Sequence, residues 1–292
     1  MDINAKNIMQ GKIAVIVITF NRLEFLKEVI HSLKNQTYKV DKIFVIHNSG
    51  TDGTQEWLDS QDDLKVITQP NTGSSGGQYT GFKAAFESGY DWIWTMDDDV
   101  IPELNCLEEL IKDFDINTIR TPLRYLPNGD AFLNDCIDFN LSNPFKSLWN
   151  GIVKKEDLAN QYIKANGITF EGPIIHRNII EKIGFPEKKF FIYGDDTEYF
   201  IRAKKAGANI LVNTNAKMQR KLNYIDSNVF NWKHKYIIRN IIAIDVLHGK
   251  LIVRLLRPFA YFLKWLYRSK SIDDYKTTIK SFFNGYFYKS EN

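Results

Sequence analysis

Cysteine is scarce in this 292-residue chain, which carries only Cys106 and Cys136. Two isolated thiols without metal-ligand spacing argue against a disulfide framework or a zinc site, and predict free thiols in a reducing, cytoplasmic compartment. Long apolar runs are missing too. No stretch reaches the roughly 18 uncharged apolar residues of a spanning helix. The opening MDINAKNIMQGK has no apolar segment of signal-peptide length, so neither secretion by that route nor membrane spanning is expected. Net charge is only +3, too little by itself to argue for nucleic acid, and no nucleic-acid partner is expected. No internal repeat or low-complexity tract is present. The chain is 44% hydrophobic and 25% charged, the balance of a folded globular protein. Its length suits one large core, or a core with an appended helical segment.

From Ile13 onward, short β-rich apolar runs alternate with segments of helical period, which predicts an α/β fold with a parallel sheet flanked by helices. The runs are IAVIVITF (13–20), KIFVIHN (42–48), LKVITQ (64–69) and WIWTM (92–96). Between the first two, Leu23, Leu26, Val29, Ile30 and Leu33 form one apolar stripe. Similar periodicity follows Gly76 and Pro102. Residues 125–165 read as a loop-rich variable insertion. Regular structure resumes with ITFEGPIIHR, FFIYGDDTEYFIRAKKAG and NILVN. The predicted organisation is a catalytic domain over 1–227 and a basic, amphipathic helical segment over 228–292.

Ligands of open α/β sheets bind beyond the carboxyl ends of the strands, which directs attention to 19–22, 47–54, 70–77 and 97–99. Asp97-Asp98-Asp99 closes an apolar strand, where alternation would turn Asp97 and Asp99 toward a common point. Two converging carboxylates are costly to ionise together unless a divalent cation compensates, and Mg²⁺ or Mn²⁺ shared with substrate phosphates suits such oxygens. A solvated acidic turn is the plainer reading of an acidic triplet, but the position directly after WIWTM favours the cation. In NTGSSGGQYTG (71–81), glycines in a loop opening a helix would let backbone amides approach a diphosphate. The segment lacks the lysine of a P-loop, and a dinucleotide motif should follow the first strand, which instead ends in TFNR. Asp195 and Asp196 open a helix after FFIY, one as a cap and the other facing a cleft.

Taken in order, TFNR, HNSGTDGT, NTGSSGGQYTG, DDDV, FEGPIIHR and YGDDTEY resemble family 2 glycosyltransferases of the GT-A fold, over about residues 12–240. Within that family the chain looks similar to the bacterial rhamnosyl- and galactofuranosyltransferase-like branch. The resemblance implies a Rossmann-like mixed sheet, a nucleotide-sugar donor and an inverting transfer to a hydroxyl of a glycan or glycolipid. It implies that Thr19, Phe20, Asn21 and Arg22 border the nucleotide and that Gly76 and Gly77 let the chain pass close to the donor. Asp97, Asp98 and Asp99 would serve the ribose-diphosphate side, with Asp97 and Asp99 on the metal. Asp196 would be the base, with Gly172, Asp195 and Trp232 on the acceptor side. The chemistry agrees, since an attacking hydroxyl must lose a proton and a departing nucleoside diphosphate needs its charge stabilised.

The chain departs from the pattern in two places. Where an acid usually follows the second strand, it has His47-Asn48-Ser49; Asn48, ahead of His47, can still address a pyrimidine, which leaves uridine and thymidine donors open, with a UDP-sugar the favoured expectation. Where relatives of the galactofuranosyl type carry a metal-binding histidine, the stretch NTNAKMQRKL offers Gln219, and His234 is the alternative third ligand. Trp92 and Trp94 are expected in the core; Trp232 and Phe170 are candidates to stack on sugar faces. The segment from Tyr236 to Arg268 carries many cations against the single acid Asp245. Such helices suit peripheral contact with the inner face of a membrane, or packing on the catalytic domain or a second subunit. The competing functions are a nucleotidyltransferase, and a non-catalytic protein that binds sugar nucleotides or scaffolds at a membrane.

Overall fold

A computed structural model describes residues 11–112, 115–134, 136–223 and 230–290. The expected boundary at 227/228 lies outside the described residues, and so does the side chain of Cys136; Cys106 is a free, buried thiol.

The chain opens with β1 (Ile13–Thr19), α1 (Leu23–Lys34), β2 (Lys42–His47), α2 (Thr54–Asp59), β3 (Leu64–Thr68), α3 (Gly73–Glu87) and β4 (Trp92–Asp97). These four strands lie parallel in the order β3-β2-β1-β4. β1 is buried along its whole length because helices cover both of its faces. Ala14, Ile16 and Ile18 pack with Phe82 and Ala85 of α3, while Ile13, Val15 and Val17 pack with Leu26, Val29 and Leu33 of α1. Period-2 alternation thus feeds two cores from one strand. The registers Thr19↔His47, His47↔Thr68 and Ile18↔Asp97 bring the carboxyl ends of all four strands to one rim.

The second half continues with β5 (Val100–Pro102), α4 (Cys106–Ile111), β6 (Thr118–Tyr125), β7 (Cys136–Phe139), β8 (Trp149–Ile152), β9 (Tyr162–Ala165), β10 (Ile174–His176), α5 (Arg177–Ile183), α6 (Asp195–Lys205) and β11 (Asn209–Arg220). The main sheet extends β4-β10-β6-β11-β5, with β10 antiparallel to both neighbours. The insertion is more regular than its sequence suggests. β7 and β8 form a separate hairpin, and β9 joins the main sheet along the first half of β11. Strands of four residues beside turn-forming neighbours give too little periodicity to be legible.

Three helices close the described chain: α7 (His234–His248), α8 (Leu251–Arg268) and α9 (Ile272–Tyr286). They share a core with the preceding part, in which Ile238, Ile242 and Phe282 meet Leu148, Phe190 and Ile201. Asp245 of α7 and Arg257 of α8 form a fully buried ion pair, and Arg257 Nη1 also donates to the Asn140 carbonyl at 2.7 Å. This anchors both helices to the insertion, and losing one partner of such a pair costs about 3–5 kcal/mol. Among the described residues no helix is long and apolar enough to cross a membrane.

Candidate active site

The strand order reverses between β1, which leads through α1 to β2, and β4 on its other side. A crevice forms beyond the carboxyl ends of strands at such a switch point. On the β1 side it receives Thr19 to Arg22, and on the β4 side the three aspartates.

The triplet divides into two kinds of carboxylate. Asp98 is 3% exposed and accepts from the Phe20 amide at 3.4 Å and from Arg22 Nη1 at 3.1 Å. Burial lifts it to about 6 even against Arg22 and the Thr19 hydroxyl. Asp98 is therefore an internal tether for the 19–22 loop. Asp99 Oδ2 lies 2.6 Å from the same Arg22 nitrogen. Asp97, at the last position of β4, has no hydrogen-bond donor among the described residues. Burial raises its carboxyl well above the ordinary range, and the charges of Asp99, Glu171 and Asp98 raise it further. Asp97 thus has no protein partner among the described residues while Asp99 is paired with Arg22, and both offer hard carboxylate oxygens of the kind a divalent cation takes. Among the described residues no cluster of three or more acids, histidines or cysteines completes a metal cage.

The other expected donor residues divide in the same way. Phe20 is 43% exposed, and the Arg22 side chain 40%. Asn21 holds a left-handed backbone (φ 52°) and accepts the Thr51 amide at 2.6 Å, which joins the loops after β1 and β2. Asp52 completes that joint by accepting the Leu23 amide at 2.9 Å, capping α1 from outside it. Asn48 is buried at 1%; its amide donates to the Gly73 carbonyl at 3.2 Å and accepts from Gln69 at 2.9 Å. It is committed to the protein, and the reason is burial. His47 is likewise internal: Nε2 accepts the Gly50 amide at 2.9 Å, leaving Nδ1 to donate to Gln55.

The glycines of 71–81 lie inside α3 rather than in a loop ahead of it. A Cβ on Gly77 would sit 2.7 Å from Ile18 Cγ2, one on Gly81 2.3 Å from Ile16 Cγ2, and one on Gly76 2.2 Å from Thr72 Oγ1. Gly77 and Gly81 allow close helix-to-sheet packing, and Gly76 leaves room for the Thr72 side chain at the start of the same helix. Gly172 is comparable: at φ +99°, its Cβ would meet Met218 Sδ at 2.3 Å. Glycine there is a steric requirement of the turn into β10.

The second acidic site heads α6. Phe191 (φ 65°), Tyr193 (φ 66°) and Gly194 (φ 83°) hold left-handed backbone just before Asp195. Two non-glycine residues in that region cost about 1–3 kcal/mol each and must be held from outside. The Asn240 amide of α7 does so, donating to the carbonyls of Phe190 (3.0 Å), Ile192 (3.0 Å) and Tyr193 (2.6 Å). From the other side, the Ser75 amide of α3 donates to the Phe191 carbonyl at 3.1 Å, and Gly73 leaves room for that carbonyl. Asp195 is 5% exposed and lifted to about 6 by burial. Burial, then the charges of Asp195 and Glu171, lifts Asp196 to about 7. A carboxyl poised there exchanges a proton readily near neutrality.

Sequence reasoning passed over Glu171. It ion-pairs with Arg220 Nη1 at 2.8 Å and with Arg124, and its charge reaches both Asp97 and Asp196. The two arginines stand on adjacent strands, in register as Arg124↔Met218. An arginine within the apolar run TPLRY was the available signal, because a buried strand position holds a cation only when it is paired.

Of the two candidate third ligands, one lies elsewhere. His234 is 4% exposed, stacks on Phe230 and packs against Trp265, with Arg268 and Asp274 as its charged neighbours. It belongs to the C-terminal helices, and the structure does not bring it to Asp97. Gln219 stays near the triplet, in register with Ile101 of β5, and its side-chain amide donates to the Leu126 carbonyl at 2.6 Å. Phe170 is 5% exposed among Phe82, Tyr199 and Phe200, a core residue. Trp232, by contrast, is 59% exposed, edge-on to Tyr236, whose ring stacks on Phe191 at 4.7 Å.

A doubly covered parallel sheet with acids at its switch point, continued by a mixed set of strands, is the GT-A class of nucleotide-dependent folds. The sequence profile of Glycosyl transferase family 2 matches residues 14–184, and the chain belongs to that family. It is 21% identical over 199 residues to galactofuranosyltransferase GlfT1 of Mycolicibacterium smegmatis, covering 67% of this chain and 66% of that protein. It is 25% identical over 205 residues to O-antigen chain rhamnosyltransferase WbaN of Salmonella anatum, covering 70% and 64%. The matches thus span just under two thirds of those relatives' lengths. Among solved structures, GalNAc-T7 with UDP, GalNAc and Mn²⁺ superposes with a TM-score of 0.68 at 11% identity, over 93% of this chain and 54% of that one. Mannosyltransferase PcManGT from Pyrobaculum calidifontis, in complex with GDP-Man and Mn²⁺, gives 0.56 at 13%, over 96% and 88%. These two establish likeness of fold.

Proposed function

We propose that this protein is an inverting glycosyltransferase that moves a hexose, such as galactofuranose or rhamnose, from a uridine or thymidine diphosphate sugar to a hydroxyl of a glycan or lipid-linked acceptor. The observation that carries the reading is the pair of separate acidic sites on one rim, Asp97/Asp99 and Asp196, with Glu171 electrostatically coupled to both. Phe20 offers an exposed ring to a base, and Arg22 a cation beside the diphosphate. Asp97 and Asp99 fit a divalent cation, Mn²⁺ or Mg²⁺, because Asp97 lacks a hydrogen-bond donor and both are hard oxygen ligands. When bound, the cation would neutralise charge on the leaving diphosphate. Asp196 takes the acceptor hydroxyl's proton, and Trp232 presents an aromatic face for a sugar ring. Family membership and the Mn²⁺ and nucleotide-sugar complexes of the structural neighbours support this reading.

The experiment is a screen of UDP-, dTDP- and GDP-sugars by thermal shift and by hydrolysis, with and without Mn²⁺. Stabilisation by one nucleoside diphosphate sugar, enhanced by Mn²⁺, is the expected result. Indifference to all of them would overturn the proposal.

A further inference from the structure

Among the described residues, 21 large apolar side chains are exposed, and twelve of them fall on α8, α9 and the residue after α9. On α8, Leu251, Leu255, Phe259, Leu263 and Tyr267 follow one another at four-residue steps, from 46% to 92% exposed. On α9 the same spacing links Tyr275, Ile279 and Phe283, at 43% to 52%. Residues four apart share a helix face, so each helix presents a continuous apolar stripe outward. The opposite faces are already satisfied. Val253, Arg257 and Tyr261 of α8, and Thr278, Phe282 and Gly285 of α9, are buried.

The charges beside these stripes are nearly all of one sign. Arg254, Lys264, Arg268, Lys270, Lys276 and Lys280 are exposed, and α8 contains no acid. Of the two acids on α9, Asp274 is spent on the helix cap, accepting the Lys270 and Ser271 amides at 2.9 and 3.2 Å. Apolar stripes with cationic flanks match an anionic bilayer surface: the side chains enter the acyl boundary while the long basic side chains reach the head groups. A second copy of the same face would set cation against cation, a repulsion that opposes self-pairing.

We propose that the outer face of α8 and α9 is a docking surface for an anionic lipid bilayer, which it enters to interfacial depth without spanning. The proposal rests on exposure and charge and is independent of the donor chemistry. It gives the acceptor side a physical context, because α7, whose Asn240 holds the loop before Asp195, packs against both helices.

The test is flotation of the full chain with vesicles of phosphatidylcholine alone, or phosphatidylcholine mixed with phosphatidylglycerol. Binding to the mixed vesicles should exceed binding to the neutral ones by about tenfold or more and should fall with added salt. The double substitution Leu255→Glu with Leu263→Glu, both at exposed positions, should lower binding by at least about tenfold while leaving the melting temperature unchanged. The charge reversal Lys264→Glu with Arg268→Glu should remove the preference for anionic lipid. Failure of the native chain to float would overturn the proposal. So would equal flotation of the Leu255/Leu263 variant, or a vesicle-free dimer in sedimentation equilibrium that this variant dissolves. Nucleotide-induced thermal shifts on the same proteins keep this outcome separate from the donor reading.

Discussion

The Glu171 carboxylate lies 2.8 Å from Arg220 Nη1, and its charge acts on both acidic sites. Glu171 raises Asp97 on one side and Asp196 on the other. A change at this one carboxylate should therefore be felt at both.

Replacing Glu171 with glutamine removes a negative charge near Asp196 and takes from Arg124 and Arg220 the carboxylate they share. Both effects favour ionised Asp196. The acidic limb of the pH profile of kcat/KM should move to lower pH than in the native protein, where it is expected near 7. An unmoved limb would show that Asp196 is not the group titrating there.

Asp196→Asn should abolish transfer while leaving nucleotide affinity within about threefold, measured by calorimetry beside a turnover assay. It should also stabilise the fold. Because the folded-state value of Asp196 is raised to about 7, the native state holds a proton that the unfolded chain releases near 4, so stability falls as pH rises between these values. Above pH 7 the asparagine variant escapes that cost. Its melting temperature should exceed the native one by roughly 2–4 °C per kcal/mol recovered, with the gap closing below pH 4.

Asn240→Ala removes the amide that bonds three carbonyls of the left-handed segment before Asp195. A loss of about 1–3 kcal/mol in stability is expected. With the loop released, kcat should fall by about tenfold or more and donor affinity should hardly change. An equal loss in both would place the effect in the global fold.

Gly81→Ala would push a methyl into Ile16 and separate α3 from β1. Overpacking of this kind costs about 1–3 kcal/mol, visible as a lower denaturant midpoint. Asp99→Ala, in contrast, should leave stability nearly unchanged and remove the Mn²⁺ dependence of donor binding, read by titration with and without chelator.

Much of this molecule was legible in its residues. The runs 13–20, 42–48, 64–69 and 92–96 are apolar enough to require burial on both faces, and that forces a helix-covered parallel sheet whose carboxyl ends carry TFNR and DDD. Burial depth was not legible. Asn48, Asp98 and Gly77 sit in motifs that read as ligand-facing, yet each is enclosed, because a motif gives spacing along the chain and not the direction of a side chain in space. Glu171 was invisible for the converse reason. Its partners Arg124 and Arg220 are distant in sequence and meet it only when β6 and β11 pair. The sequence alone determined the class of fold, the acids available to it and the amphipathic character of the C-terminal helices, since all three follow from local pattern. Only tertiary structure decided which acids share a charge, which glycines are packing devices, and that α8 and α9 turn their apolar stripes outward, since those depend on long-range contacts that local spacing cannot encode.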